Sequence, residues 1–302
     1  MKKIVSTVFL VILFCSNASF SQVGESITSL PPDEAAKFAE PLSTWFGTYF
    51  NSGGYHSASV PETFGFKFSI IGMYIYVPDA QTSFTPDLPE GYSHTGETAT
   101  FFGDRGTVAL GPDGFIVYPF GLNLQKVPAG IYQASGSMFG AELMLRYFPK
   151  LKVSDVSANL WGVGLKYSIS QFIPLSPVDI AVQVLYNNFN FEYDGTNDEL
   201  DFETDSKNIA ANVHVSKTFS DMFTLYSGLQ YESTTMNLTY NFRDPNDLFP
   251  EDANSKQNVD VDGTNNFRFT FGAAVKLAVI VLNVDYNLSS QDLFTAGISL
   301  EL

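Results

Sequence analysis

The sequence is poor in cysteine and in positive charge, and both shortages limit what the chain can be. Its one cysteine, Cys15, lies near the N-terminus, so the rest of the chain can form neither disulfides nor thiol sites. The 16 Lys and Arg residues are outnumbered by 32 Asp and Glu residues, which gives a net charge of −16. Such an acidic chain repels phosphate groups, and no nucleic-acid partner is expected. After the N-terminus, no run approaches the ~20 apolar residues of a transmembrane helix.

The first 21 residues are predicted to be a secretory signal peptide. Lys2 and Lys3 precede an apolar run at residues 4–14, and small residues then lead to a cleavage site before Gln22. The apolar run is too short to cross a membrane as a helix. Loss of the two lysines takes the net charge from −16 to −16 − 2 = −18. The chain is therefore expected to be exported.

Aromatic residues are abundant, with 28 Phe and 15 Tyr. Acidic disordered proteins are poor in such residues, so the exported chain is expected to be folded. Without a long apolar helix, two classes remain open: a soluble secreted fold or a membrane β-barrel.

The first element after the signal is predicted to be an amphipathic helix within an N-terminal segment, residues 22–56. Pro31 and Pro32 suit a helix start, and the acidic residues after them suit the positive end of its dipole. Apolar residues then follow helical spacing: Ala35, Phe38, Ala39, Leu42, Trp45, Phe46 and Tyr49. Such a broad aromatic face must be buried. Three positions remain open: a plug in a lumen, the inner membrane leaflet, or a periplasmic partner.

From residue 64 onward the apolar residues recur with a period of two. Nine runs alternate in this way, at residues 64–70, 139–147, 161–169, 178–186, 209–215, 223–231, 267–275, 280–286 and 294–302. Many runs reach the ~9–11 residues of a membrane-spanning strand, and their second face is small or polar, which suits a narrow lumen. The sequence therefore predicts an all-β fold, a transmembrane antiparallel β-barrel of about 10 strands (8–12), over residues 57–302.

Because nine strands is an odd number, we expect residues 98–110 to supply a tenth strand. Residues 111–130 are then expected to form either an inward-folded plug or part of an external loop.

Turn lengths give the barrel an orientation in the membrane. Tight turns are predicted near Ser220–Asp221 and Ala278, and longer acidic loops at residues 194–205 and 243–263. Short turns face the periplasm in such barrels, so the chain is expected to end at Leu302 on the periplasmic side.

Five segments form a set of strand and turn motifs: Gly53-Gly54-Tyr55-His56-Ser57-Ala58, Gly65-Phe66, Leu143-Met144-Leu145-Arg146-Tyr147-Phe148-Pro149, Gly162-Val163-Gly164-Leu165-Lys166-Tyr167 and Gln171-Phe172-Ile173-Pro174. These segments resemble an uncharacterised family of Bacteroidota proteins, domain of unknown function 6588. The resemblance implies an outer-membrane β-barrel with no known activity. The family is distantly similar to fatty-acid-transporter-type barrels, but it carries no ligand residue over to this chain.

Charged and polar residues on the small-residue face are the candidate lumen lining. They are Lys67, Glu142, Arg146, Lys166, His214, Glu232, Arg268 and Asp285. Two interpretations remain open: an ion-paired network that fills a small barrel, or a selectivity lining for a solute. Arg268 and Asp285 lie on neighbouring strands and are expected to pair.

His214 and Ser216 share a strand face and could form a hydrolytic dyad, although both have lumen parity and no third residue is evident. No metal, cofactor or catalytic residue is expected, because the three histidines are dispersed and the acidic loops lack a calcium-loop spacing. Three functions are thus considered: a small channel or transporter for hydrophobic or small polar solutes, a non-conducting component of an envelope complex, and, remotely, a lipid hydrolase. The expected partners are outer-membrane lipid, a small solute, and a periplasmic or envelope protein.

Overall fold

The computed structural model describes residues 27–94, 96–112, 114–153, 156–194, 200–243 and 255–302. The predicted signal peptide lies outside these residues. The described chain forms a closed antiparallel β-barrel with helix α1 (Pro32–Phe50) in its lumen. No helix among these residues is long and apolar enough to cross a membrane.

Ten strands make the barrel wall. The strands in chain order are β1 (Gly65–Tyr76), β2 (Ser83–Phe84), β3 (Thr98–Ala99), β4 (Val108–Gly111), β5 (Gly114–Val117), β6 (Lys126–Met138), β7 (Ala141–Val153), β8 (Val156–Ser168), β9 (Asp179–Asp194), β10 (Leu200–Phe219), β11 (Phe223–Asn241), β12 (Lys256–Asp262), β13 (Phe267–Leu277), β14 (Ile280–Leu288) and β15 (Leu293–Glu301). Strands β1 and β6–β11 pair in turn, β13–β15 follow, and β15 returns to β1. β12 and β13 pair with the same edge of β11: β13 pairs with residues 223–231 and β12 with residues 235–241. The prediction of about ten strands is confirmed.

The predicted tenth strand was wrong. Residues 98–110 contribute only β3 and part of β4, which pair with β2 and β5 outside the wall. The tenth strand is β6, which overlaps the stretch assigned to a plug or loop. Its outward residues include Pro128, Gly130, Ala134 and Gly136, so it lacks the large apolar face that marks the other strands.

The two ends of the barrel differ as expected from the turn lengths. Ser220, Asp221 and Ala278 take left-handed backbone conformations in tight turns, at φ 51°, 54° and 57°. These turns lie at the end where Leu302 bonds Phe66, which we call the inner end. The long connections, including residues 77–125 between β1 and β6, lie at the outer end. The predicted acidic loops are shorter than expected, because β9, β10 and β12 extend into them; residues 195–199 and 244–254 lie outside the described residues.

The outer surface carries an apolar band between two aromatic rings, as a lipid-facing wall requires. The inner ring contains Phe64, Phe66, Phe139, Tyr167, Phe172, Phe219 and Phe223, and the outer ring contains Tyr74, Tyr147, Trp161, Tyr231, Phe267 and Phe294, all exposed. On β11 these rings are eight residues apart, roughly 26 Å along the strand. The chain is an outer-membrane β-barrel.

On one side of the barrel, β9, β10 and β11 extend beyond the outer aromatic ring, and we call this extension the raised wall. Beyond Tyr231, the outward residues of β11 become polar, while its inward residues become apolar and end with Leu238 and Tyr240. β9 changes in the same way, with outward Asn188 and Asn190 and inward Phe189 and Phe191. This raised wall therefore stands in water and encloses an apolar core together with α1.

The contact between β6 and β7 is incomplete, and we call it the seam. Backbone pairing runs from Met138 opposite Ala141 to Ala134 opposite Leu145 and ends there in the described chain. Beyond that point Pro128 on β6 and Pro149 on β7 have no N–H to donate. A barrel is normally closed by a continuous ladder, so the seam is its weakest join.

Candidate functional site: the plugged lumen and its inner cavity

Helix α1 enters the lumen from the outer end, so among the three positions left open by the sequence it takes that of a plug. Near its start, the Tyr240 hydroxyl donates to the carbonyl of Leu30 at 2.8 Å, and the N–H of Arg243 donates to the carbonyl of Thr28 at 2.7 Å. Both wall residues lie at the outer ends of β11 and its loop. From Asn51 the chain descends past Gly54 to β1 at the inner end.

The helix packs closely on β11 and β12 through small residues. A Cβ added to Gly47 would lie 2.4 Å from Oγ1 of Thr234, so the helix backbone touches the wall there. The Ser43 hydroxyl donates to the carbonyl of Val261 at 2.7 Å, and the hydroxyls of Thr44 and Thr264 are 3.1 Å apart. This face fixes the depth of the plug.

The opposite face of α1 is aromatic. Phe46 and Phe50 contact the ring of Phe189 on β9, with centroid separations of 5.2 and 4.8 Å. The rings of Trp45 and Tyr49 are tilted against each other with centroids 5.2 Å apart, and the Tyr49 hydroxyl donates to the carbonyl of Gly130 at 2.5 Å, beside the seam. A side chain of the plug thus bonds to the wall where the β6–β7 ladder is missing.

Two buried arginines hold the C-terminal end of the helix. Arg146 donates to the carbonyl of Phe50 at 2.5 Å and to that of Ser52 at 2.8 Å. Arg268 donates to the carbonyl of Thr48 at 3.0 Å and to the hydroxyl of Ser52. The last carbonyls of a helix lack intrahelical partners and carry partial negative charge, so guanidinium groups suit them well.

Four wall amides complete this arrangement, which we call the carbonyl clamp. Asn187 donates to the carbonyl of Phe50 at 3.0 Å, Gln230 to Asn51 at 3.1 Å, Gln133 to Gly53 at 3.0 Å and Gln183 to Gly54 at 3.1 Å. The clamp comprises Arg146, Arg268, Gln133, Gln183, Asn187 and Gln230. The four amides were not predicted from the sequence. Each is an Asn or Gln near the middle of a strand, at a position where the alternating pattern points the side chain into the lumen.

The expected pair of Arg268 and Asp285 was wrong. Arg268 pairs with Glu232 at 3.2 Å, and both side chains are buried. Asp285 instead accepts hydrogen bonds from the Tyr226 hydroxyl at 2.8 Å and from Asn287 at 2.6 Å. Glu232 lies on β11, on the opposite side of β13 from Asp285, and α1 packs on β11; there the Arg268 guanidinium donates to the carbonyl of Thr48.

His214 and Ser216 have separate partners. Nδ1 of His214 lies 2.8 Å from Oδ1 of Asn212, and its ring stacks on Tyr55 at 3.9 Å. The hydroxyl of Ser216 accepts a hydrogen bond from the backbone N–H of Ala58 at 2.9 Å. Both residues thus position the strap between α1 and β1, residues 51–64.

Below the strap the lumen opens into a cavity of about 570 Å³ at the inner end, which we call the inner cavity. Glu142 lies between two lysines, 2.9 Å from Nζ of Lys67 and 2.8 Å from Nζ of Lys166. Nearby, Nε2 of His56 lies 2.9 Å from Glu301. Burial lowers the pKa of His56 despite this carboxylate, so its imidazole is neutral at pH 7.

The eight lumen candidates thus fall into groups on the inner face of the wall. Arg146, Arg268 and Glu232 belong to the helix end, and Lys67, Glu142 and Lys166 to the inner cavity. Asp285 and His214 lie between them in local hydrogen bonds. Within the described residues, no group of three His, Cys, Asp or Glu side chains could hold a metal ion.

The family model that matches this chain covers residues 1–302. The chain belongs to the family of unknown function DUF6588. No curated protein matches this chain.

Solved structures similar to it are outer-membrane proteins. The translocator domain of the autotransporter NalP from Neisseria meningitidis is 8% identical, with 89% of this chain and 97% of that chain covered and a TM-score of 0.35. The outer membrane protease OmpT from Escherichia coli is 9% identical, with 80% and 97% covered and a TM-score of 0.31. The CymD monoaromatic hydrocarbon channel is 9% identical, with 81% and 89% covered and a TM-score of 0.23.

Proposed function

We propose that this protein is a non-conducting barrel that acts as a structural or assembly component of a cell-envelope complex. The observation that carries the proposal is the carbonyl clamp. It fixes α1 across the lumen through the guanidinium groups of Arg146 and Arg268 and four wall amides. A diffusion pore needs a continuous aqueous path, whereas aromatic side chains of α1 and β9 fill this lumen above the clamp.

The raised wall supports a role in binding. Its outward strands carry Asn188, Asn190, Asn237 and other polar residues in water, and its interior is packed like a protein core. A rigid, polar surface of this kind suits a protein partner from the envelope or the cell exterior.

Conductance in planar bilayers tests the proposal. We expect the wild-type protein to give no open-pore steps. Because the chain has no cysteine beyond Cys15, a Thr44→Cys, Thr264→Cys pair can lock the plug through one disulfide, since the two hydroxyls are 3.1 Å apart. The oxidised variant should be as silent as the wild type.

The control is a Ser69→Cys, Ser299→Cys pair, whose hydroxyls are 2.8 Å apart on β1 and β15 and which leaves the plug free. Steady conductance in the wild type and the control, abolished by the plug disulfide, would overturn the proposal. Co-purification of a stable envelope partner that is lost when raised-wall residues are changed would support it further.

A solute transporter is the second candidate, and the inner cavity favours it. A cavity of about 570 Å³ with a charged lining could hold a small solute before the plug moves. Liposome uptake that the plug disulfide blocks and the control disulfide allows would establish this function. Hydrolysis is not part of either proposal, because the side chains of His214 and Ser216 bond to Asn212 and Ala58.

A further inference from the structure

At the deep end of the inner cavity, two buried lysines share one carboxylate. Lys67 and Lys166 share Glu142, so this group of three carries a net charge of +1. The side chain of Lys166 is 2% exposed and that of Lys67 is 12% exposed, so water screens this charge only weakly. An unbalanced charge at such a site favours binding of an anion.

Donors remain available at the same place. Lys67 has three N–H groups, and its bond to Glu142 uses one of them among the described residues. Ser135 and Ser137 line the cavity beside it, and their hydroxyls make no hydrogen bond within the described part of the chain. The next positive group, Lys276, is already paired with Glu301 at 3.1 Å.

The positions of the cavity carboxylates favour an anion at the deep end of the cavity, beside Lys67 and Lys166. Asp179 and Asp221 also line the cavity and would repel an anion near them, whereas Glu301 lies opposite Lys67 on β15 and is paired with Lys276. His56 is neutral, so it adds no charge. Lys67, Lys166 and Lys276 face the carboxylates of Glu142 and Glu301, so this deep end keeps one positive charge in excess.

The rim of the cavity is apolar. Phe64, Phe66 and Leu302 line it and are exposed on the inner aromatic ring, at the level of the lipid headgroups. A molecule with a charged head in the cavity could lay an apolar tail over these residues.

We propose that the inner cavity binds a phosphate-type oxyanion between Lys67, Lys166, Ser135 and Ser137. The oxyanion is either a free phosphate compound in the periplasm or the headgroup of an amphipathic lipid. This inference goes beyond the proposed function, since a barrel whose plug never moves can bind at its inner mouth.

Binding of inorganic phosphate and of dodecyl phosphate to the purified full-length mature protein tests the site. The titrations are done by calorimetry in a neutral detergent. We expect saturable binding with one site. Equal affinity for the two probes indicates a free oxyanion, whereas at least tenfold tighter binding of dodecyl phosphate indicates a lipid headgroup.

Variants locate the site. Lys67→Met should weaken binding at least tenfold, and Lys67→Arg should restore most of it. Lys217→Met is the matched control, because Lys217 lies on the outward face of β10 and should bind like the wild type. Should Lys67→Met fail to fold, the Ser135→Ala, Ser137→Ala variant takes its place, with at least threefold weaker binding expected.

Failure of both probes to bind at 10 mM, or unchanged binding in these cavity variants, would overturn the inference. Neither result bears on the bilayer conductance of the wild-type protein, so the two proposals fail independently.

Discussion

At the scale of single residues, the charges of the lumen hold the backbone of the plug. Arg146 is the clearest case, since its donors reach the carbonyls of Phe50 and Ser52 and the side chain of Gln133. The alternation of apolar and polar residues along β7 indicates that the side chain of this arginine points into the lumen. Its partners are not, because they lie on a strap whose path depends on the whole barrel.

Replacing Arg146 by Met should destabilise the protein. The change leaves the buried carbonyl of Ser52 without its donor and removes one of the two donors to the carbonyl of Phe50, at a cost of about 1–3 kcal/mol. The free energy of unfolding, measured by urea titration in micelles, checks this. The control is Lys150→Met, which breaks an exposed pair with Glu192 and should cost about 0–1 kcal/mol. Equal stability of the two variants would contradict the clamp.

His56 should make stability depend on pH. Its pKa is lowered by burial, and it faces Glu301, Lys67 and Lys166. Both folded and unfolded states hold a neutral imidazole above the unfolded pKa of about 6.5. Below that value the unfolded state takes up the proton first, so stability is lost as the pH falls toward the lower pKa of the folded state.

The measurement is the thermal midpoint in detergent between pH 7.5 and 5. The wild type should lose more stability over this range than His56→Gln, which keeps a polar side chain but does not titrate. The same loss in both proteins would assign the pH dependence to other groups.

At the scale of elements, the plug is fitted to the wall. Gly47→Ala should overpack the contact with Thr234 and cost about 1–3 kcal/mol. Thr234→Ala should recover part of this loss by removing the Oγ1 atom that clashes. Gly136→Ala is the control, since no atom lies within 4 Å of its added Cβ. Stability is read from urea unfolding; equal effects at Gly47 and Gly136 would argue against close packing.

The seam should also be visible in hydrogen exchange. The amides of Gly130 and Tyr147 lie beyond the last β6–β7 pair and should exchange faster than those of Asn208 and Ala210, inside the long β10–β11 ladder. Tyr49→Phe removes the hydroxyl that binds the carbonyl of Gly130 and should speed exchange there further. Equal protection on both sides of the barrel would show that the seam is closed by backbone bonds.

Some strands could be predicted from the sequence and others could not, for a physical reason. Strands with large outward residues, such as β8 and β13, follow from alternation alone. β6 does not, because Gly130, Ala134 and Gly136 give it a weak outward face. Residues 200–205 of β10 lie in a predicted loop, because their outward side chains Glu203 and Asp205 are acidic.

At the scale of the whole molecule, barrel closure should give resistance to detergent. We expect the unboiled protein to migrate differently from the boiled protein on a denaturing gel, because ten paired strands and an internal helix stay folded in mild detergent. Identical migration would contradict a closed barrel. The approximate number of strands could be predicted from sequence, but the occupied lumen could not, since the helix had three acceptable environments.

The course of α1 has a consequence for the order of events in assembly. The N-terminal helix lies inside a barrel that is built by later residues of the same chain. Pairing of β15 with β1 joins the two ends of the strand sequence. If that pairing came first, helix α1 would have to enter a finished, narrow barrel from its inner end. Closure around a helix already in place avoids that step, so we expect β15 to pair with β1 only after α1 is inside.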